Sequence, residues 1–239
     1  MFTSFKYRSH RLERLDTGEY TPAEYARWQR EMRQINRFLG DTRALRLELR
    51  DELDDVRDEK ISILDVGAGS GELLYAAGRA SNAKAPFLVG AELNAAAASS
   101  IAARHAEINL VAVQCNALAL PFAADSFDFV ISSLFLHHLS DEQAVTLLQE
   151  MSRVARRKFI VIDLHRHAAA YYLYKTFGRI VLQRFTIEDG SLSIKRSFRP
   201  RELRELAAKA GIRDAVVKRR AAFRLVLSAA KKRGQSRPS

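Results

Sequence analysis

The residues best suited to chemistry lie at the end of an apolar run. Ile61 to Val66 stops at Gly67, and Gly67, Ala68, Gly69, Ser70 and Gly71 follow before a helical pattern resumes at Glu72. A buried strand that breaks into a glycine turn and then a helix N-terminus makes a concave site lined by backbone N–H groups. Glycine lets a ligand approach that backbone. Asp65 stands two residues before the first glycine, and the spacing is G-x-G-x-G. A dinucleotide fingerprint would need its third glycine where Glu72 stands. The next apolar run ends in Glu92, whose carboxylate can accept hydrogen bonds from both hydroxyls of a ribose. A third run ends in Cys115-Asn116-Ala117, where a short amide can bond the edge of an adenine.

Such residues need a scaffold that brings several strand ends to one edge. Strands read at 61–66, 87–92, 109–114, 127–133 and 158–163, with helices at 71–80, 94–106 and 140–156 between them. Ser140 and Gln143 form a capping box at the start of the last helix. Apolar strands separated by helices of this length predict an α/β fold, a parallel sheet covered on both faces and binding ligands at its carboxyl edge. Ahead of the sheet, Thr21-Pro22-Ala23-Glu24 starts a helix that Gly40 ends, and Asp41 is expected to cap the next one. Residues 1–60 therefore read as a helical extension that packs beside the core or closes over the site as a lid. Asn36 and Arg37, near the end of its longer helix, are the polar residues to watch there, Arg37 as a cofactor contact. After Asp163, HRHAAAYYLYKTFGRIVLQRF is predicted as one helix and EDGSLSIKRSF as a polar loop. A helix from Arg199-Pro200 to Gly211 and two closing strands, Ala215 to Lys218 and Phe223 to Leu227, complete the pattern.

Taken together, ILDVGAGSGELL, VGAELN and CNALALPFAADSFDFVISSLFLHHL resemble a class I S-adenosylmethionine-dependent methyltransferase. The resemblance is to the small-molecule group that includes the ubiquinone and menaquinone C-methyltransferases, and it covers roughly residues 61–164. It implies a doubly wound, mostly parallel seven-stranded sheet of the Rossmann-like methyltransferase type, with S-adenosylmethionine as cofactor. It also implies that Asp65, Gly67, Ala68, Gly69 and Gly71 surround the methionine part and ribose. Glu92 would hold the ribose diol, and Leu93 would pack on the adenine. Asn116 would take the adenine-contacting position, where many relatives have Asp, and Ala117 would supply a backbone contact. Ser133 would lie near the transferred methyl. No metal is implied.

The family has no invariant catalytic base, so the base must be sought among local residues. Methyl transfer rests mostly on in-line positioning, yet an acidic acceptor must still lose a proton, and histidine has the suitable pKa. His137 and His138 at the exit of the fourth strand, and His165 and His167 after the fifth, are the candidates, each as readily structural as catalytic. Tyr171 and Tyr172, with Phe135, are expected to line an apolar acceptor pocket. Arg166, Lys175, Arg179 and Arg184, interleaved with these aromatics, would also suit contact with a membrane surface or an acidic substrate.

Composition bounds the partners. Residues 165–239 carry 19 basic and 5 acidic side chains and hold the whole excess behind the net charge of +11. That excess favours anionic partners or a solvated face that runs into a basic tail from Lys231, expected to be disordered. The single cysteine fits a reducing compartment, and the first residues lack a signal-peptide apolar core. No apolar run reaches the roughly 20 residues of a membrane span. The expectation is a cytoplasmic enzyme, monomer or homodimer, that methylates an oxygen or carbon of a small aromatic, quinone-like or polyketide-like acceptor. Two alternatives stay open: an RNA methyltransferase using the basic third, and a catalytically silent cofactor-binding scaffold. Against the first, the fourth strand leads into SSLF rather than the (D/N)PP(Y/F) of base amino-group methylation.

Overall fold

The computed structural model describes residues 5–54, 60–80, 86–104 and 110–231. In chain order it holds α1 (Arg14–Thr17), α2 (Pro22–Leu39), α3 (Asp41–Asp54), β1 (Ser62–Val66), α4 (Glu72–Ala80), β2 (Phe87–Glu92), α5 (Ala95–Arg104) and β3 (Leu110–Gln114). Then follow β4 (Phe127–Ser133), α6 (Asp141–Val154), β5 (Ala155–Leu164), α7 (Ala168–Val181), α8 (Arg184–Arg196), α9 (Pro200–Lys209), β6 (Val216–Arg220) and β7 (Arg224–Ala230). The strands form one open sheet in the order β3-β2-β1-β4-β5-β7-β6. The first five are parallel, and β7 runs antiparallel to both β5 and β6.

Period-two alternation explains why both faces are buried. Leu64, Val66, Val89, Val130, Phe159, Val161 and Leu227 point to one face, against Leu147, Leu148 and Met151 of α6 and Leu203 and Leu206 of α9. Ile63, Leu88, Phe129, Ile131, Ile160, Ile162 and Val226 point to the other, against Leu74 of α4 and Leu45 and Leu49 of α3. The N-terminal extension thus supplies one of the helices that cover the sheet. Asp41 is the first residue of α3 rather than its cap; Gly40 in a left-handed conformation (φ 90°) ends α2. The Asp41 carboxylate turns inward to pair with Arg224 on β7, and both side chains are buried.

Order reverses between β1 and β4, so the chain leaves these neighbouring strands towards opposite faces and opens a crevice at their carboxyl ends. Two sequence expectations change. The segment after Asp163 breaks at Leu182 into two helices, and EDGSLSIKRSF is mostly helical, within α8. Its polar sequence hides the helix because Thr186, Asp189 and Ser193 are buried among hydrogen bonds. Gly190 there makes room for Tyr174, whose hydroxyl donates to the Thr186 carbonyl at 2.8 Å. Among the described residues, no helix is long and apolar enough to cross a membrane. The basic tail beyond Lys231 lies outside the described residues.

Candidate active site

The loop after β1 is held open by three glycines with positive φ: Gly67 (72°), Gly69 (54°) and Gly71 (76°). At Gly67 a side chain is excluded twice over, because a Cβ would also stand 2.8 Å from the Phe135 ring. Phe135, expected in the acceptor pocket, therefore packs directly on the glycine loop. The loop is anchored to β2, where Gly67 and Ala68 both donate to the Ala91 carbonyl (2.9 and 3.2 Å). Ser132, a residue not singled out from sequence, ties β4 to the end of β1 by donating to the Val66 carbonyl at 2.7 Å. Ser133 beside it is half-buried.

Beneath the loop, Asp65 is fully buried and its Oδ1 has no hydrogen-bond partner. Burial, and then the charge of Glu92, push its carboxyl up to about 7. Glu92 crosses the mouth of the loop, accepting from the Gly69 N–H through Oε2 (2.9 Å) and from Leu93 and Asn94 N–H through Oε1. Leu93 is 68% exposed, an apolar side chain with a free face at a strand end. Asn116 accepts from the Leu118 N–H through its side-chain oxygen (2.9 Å), which leaves its amide N–H groups to donate. Ala117 follows in the same turn. Arg37 lies in α2, but its side chain and that of Asn36 lie outside the described residues.

A second cluster sits at the carboxyl ends of β4 and β5. His137, in a short 3-10 turn after β4, is 3% exposed, and its Nδ1 pairs with Asp163 Oδ1 at 2.6 Å. Asp163 Oδ2 accepts from the His137 N–H at 2.9 Å, and the charge and hydrogen bonds of His137 hold its carboxyl below the ordinary range against the cost of burial. The other ring nitrogen, Nε2, faces Glu13 Oε1 at 4.0 Å. Glu13 opens α1, is buried, and makes no hydrogen bond through that oxygen, although Arg196 approaches it to 3.5 Å. Burial pushes Glu13 up to about 7, only partly relieved by the charge of His138. His138 lies against His137 (4.3 Å between centroids), and its Nδ1 contacts Asp16 at 3.1 Å. Donor atoms of Glu13, His137 and His138 lie within 4.8 Å of one another, but the Arg196 guanidinium already supplies the positive charge there.

The segment around α1 is fastened over this cluster. Arg8 donates to the carbonyls of His137 (3.1 Å) and Leu139 (2.9 Å), and Asp189 of α8 accepts from the N–H groups of Arg14 and Leu15. None of Arg8, Glu13, Asp16 or Asp163 stood out from sequence. Only Asp163 carried a usable signal, an acid at a strand end like Glu92. His165 lies further along the same edge, at the end of β5, where burial and the charges of His167, Arg219 and Arg199 push it down to about 4. Tyr171 is buried beside Phe5 (5.4 Å), whereas Tyr172, Leu173, Phe177, Ile180 and Val181 leave the outer face of α7 exposed.

Residues 63–158 match the family described as a methyltransferase domain. The match and the shared fold support S-adenosylmethionine-dependent methyl transfer, with S-adenosylmethionine as the cofactor. No curated protein matches the chain. Solved structures share its fold. They include a magnesium protoporphyrin IX methyltransferase from Synechocystis with bound SAH (S-adenosylhomocysteine), at TM-score 0.63 and 14% identity over 91% of this chain and 99% of the other. The plantazolicin methyltransferase with SAH gives 0.65 and 13% over 88% and 90%, and a SAM-dependent methyltransferase from Aquifex aeolicus 0.57 and 17% over 80% and 90%. The residues present fit the cofactor on their own chemistry. A buried carboxylate oxygen without a partner suits a ligand that brings an ammonium group and a sulfonium, and the glycine loop leaves the room beside it.

Proposed function

We propose that this methyltransferase acts on an oxygen or carbon of a small acceptor, aromatic, quinone-like or polyketide-like, with His137 taking the proton the acceptor loses. The observation that carries this reading is the buried Asp163–His137 pair at the exit of the strand beside the glycine loop. Two of the structural neighbours are named for magnesium protoporphyrin IX and for plantazolicin, which agrees with a small acceptor.

When bound, S-adenosylmethionine supplies an activated methyl group and a neutral leaving group. The chain's task is then to place the acceptor in line and accept its proton. In this reading Asp65 answers the positive charge of the methionine part, Gly67, Ala68, Gly69 and Gly71 make its bed, and Ser133 stands near the methyl. Glu92 exchanges its hydrogen bond from Gly69 for the ribose hydroxyls, Leu93 covers one adenine face, and Asn116 and Ala117 meet the adenine edge. Asp163 fixes the tautomer of His137 by accepting from Nδ1–H, so that Nε2 is the nitrogen free to receive a proton. Phe135 and Tyr171 furnish apolar wall, whereas Tyr172, on the exposed face of α7, does not. His138 is turned to Asp16 and His165 is held down to about 4, whereas His137 is fixed by the buried Asp163, so His137 leads. Because Glu13 and Arg8 cover His137, the segment around α1 is the lid that must swing aside for the acceptor.

The test is methyl transfer from labelled S-adenosylmethionine into a host extract. Label in a small-molecule product, lost in His137→Gln by roughly a hundredfold or more while SAH binding persists, supports the reading. Label in RNA, or undiminished transfer by His137→Gln, overturns it. Gly69→Arg should abolish SAH binding in calorimetry.

A further inference from the structure

Beyond His165 the carboxyl edge opens into a cavity of about 760 Å³ between the end of β5, the start of α9 and the β6–β7 hairpin. Among the described residues, twelve line it, five of them arginines and two histidines, with no carboxylate. Three of the arginines are spoken for. Arg166 is buried and donates to the carbonyls of Phe5, Ser197 and Lys6 and to Glu202. Arg224 forks onto Asp41, and Arg220 pairs with Glu48. Arg199 and Arg219 have no side-chain partner among the described residues, and Glu202, the acid nearest Arg199 in sequence, is engaged by Arg166 and by the Arg199 N–H.

His167 completes the set. Its Nδ1 accepts from the Ala169 N–H at 3.1 Å, so the neutral ring carries its proton on Nε2 and can donate there. The ring is held by Phe223, 5.4 Å away between centroids. Phe223 and Ala222 both have positive φ (55° and 52°), in a hairpin turn without glycine or asparagine. Strain of that kind persists where the surroundings hold a residue in place for use. His165 is pushed down first by burial and then by the charges of His167, Arg219 and Arg199, which face the same cavity.

We propose that this cavity holds the anionic group, phosphate or carboxylate, of the methyl acceptor, with Arg199 and Arg219 pairing with its oxygens and His167 Nε2–H donating to it. The proposal rests on the small-acceptor reading above and adds a substrate class to it. Two strand spacings separate β4 from β7, so the anion lies about 10 Å from the reacting end. The acceptor therefore spans the β5 strand end, with its charge remote from the atom that is methylated.

The test uses the full chain saturated with SAH, at low salt, titrated separately with inorganic phosphate, pyrophosphate and benzoate and followed by NMR of the histidine ring protons. Saturable binding is expected from phosphates or from benzoate, and the arm that binds identifies the source of the charge. Arg199→Gln and Arg219→Gln should each weaken it roughly tenfold or more, the loss of one charge-assisted contact. Arg201→Gln should not, because Arg201 is exposed, pairs with Glu205 and lies outside the cavity lining. SAH affinity should stay unchanged in all three. No saturable binding of any of the three anions, or Arg199→Gln and Arg219→Gln no weaker than Arg201→Gln, overturns the proposal. Loss of SAH binding by the unmodified chain would instead break the cofactor assignment. Once the acceptor is labelled, a product that an anion exchanger fails to retain also overturns the proposal; retention, with a raised KM in Arg219→Gln, supports it.

Discussion

The two ends of the sheet's carboxyl edge are built from opposite materials. Around the glycine loop the working groups are backbone N–H, short side chains and two acids, Asp65 and Glu92. At the β5–β7 end they are long cationic side chains and imidazole rings, with the acids turned away to hold the scaffold. Among the described residues, the acids gather at one end and the cations at the other. A cationic methyl donor and an anionic acceptor would be sorted to their own ends before any contact specific to either is made, since charge acts at longer range than shape. Between them lies the Asp163–His137 pair, where proton transfer would occur.

That contrast can be broken at either end. The largest effect is expected from Asp41→Ala, which leaves Arg224 buried without its counter-charge; chemical denaturation should show a loss of about 3–5 kcal/mol. Gly67→Val forces a branched residue into a left-handed conformation and against Phe135, and calorimetry should show SAH affinity falling roughly a hundredfold with the fold retained. Asp65→Asn tests the charge at the donor end directly. S-adenosylmethionine should bind roughly tenfold more weakly, whereas anion binding at the far cavity should not change.

The smallest effect concerns pH. Asp65 and Glu13 both titrate near 7 in the folded chain, above the ordinary carboxylate range. Folding therefore favours their protonated forms: the stability they allow is fully present at acidic pH and is lost as pH rises through about 7. Without ligand, thermal stability should fall from about pH 4 to about pH 7, the interval between the ordinary carboxylate values and these raised ones. Glu13→Gln should raise the melting temperature at pH 8 by about 2–4 °C and flatten part of that fall. An unchanged slope would show that Glu13 is not buried as a titrating acid.

These two ends also differ in how far the sequence discloses them. Gly67 to Gly71, Glu92 and Asn116 each follow an apolar strand within one turn, so local spacing announces them and strand alternation places them on one edge. The cluster at His137 is assembled from Glu13, Asp163 and Arg196, which are far apart in the chain and meet only because α1 folds back over β4 and β5. Polar residues at helical spacing, such as Thr186, Asp189 and Ser193, look solvated until their partners are known. Buried polar networks carry no periodicity of their own, and this hid α8 as a loop.

β7 has a consequence for how the chain is made. It is later in sequence than every other strand, yet it lies inside the sheet, between β5 and β6. A nascent chain that has emerged only as far as β6 can pair β1 to β5, but β5 still presents a full row of unpaired backbone donors and acceptors. Such an edge is a template for another chain's strand. The β6–β7 hairpin must then dock as a unit, bringing Arg224 to Asp41 as it closes. Translation pauses before residue 224, or truncations there, should therefore yield aggregates rather than a shortened enzyme, and a chaperone that shields β5 would have its work defined by this strand order.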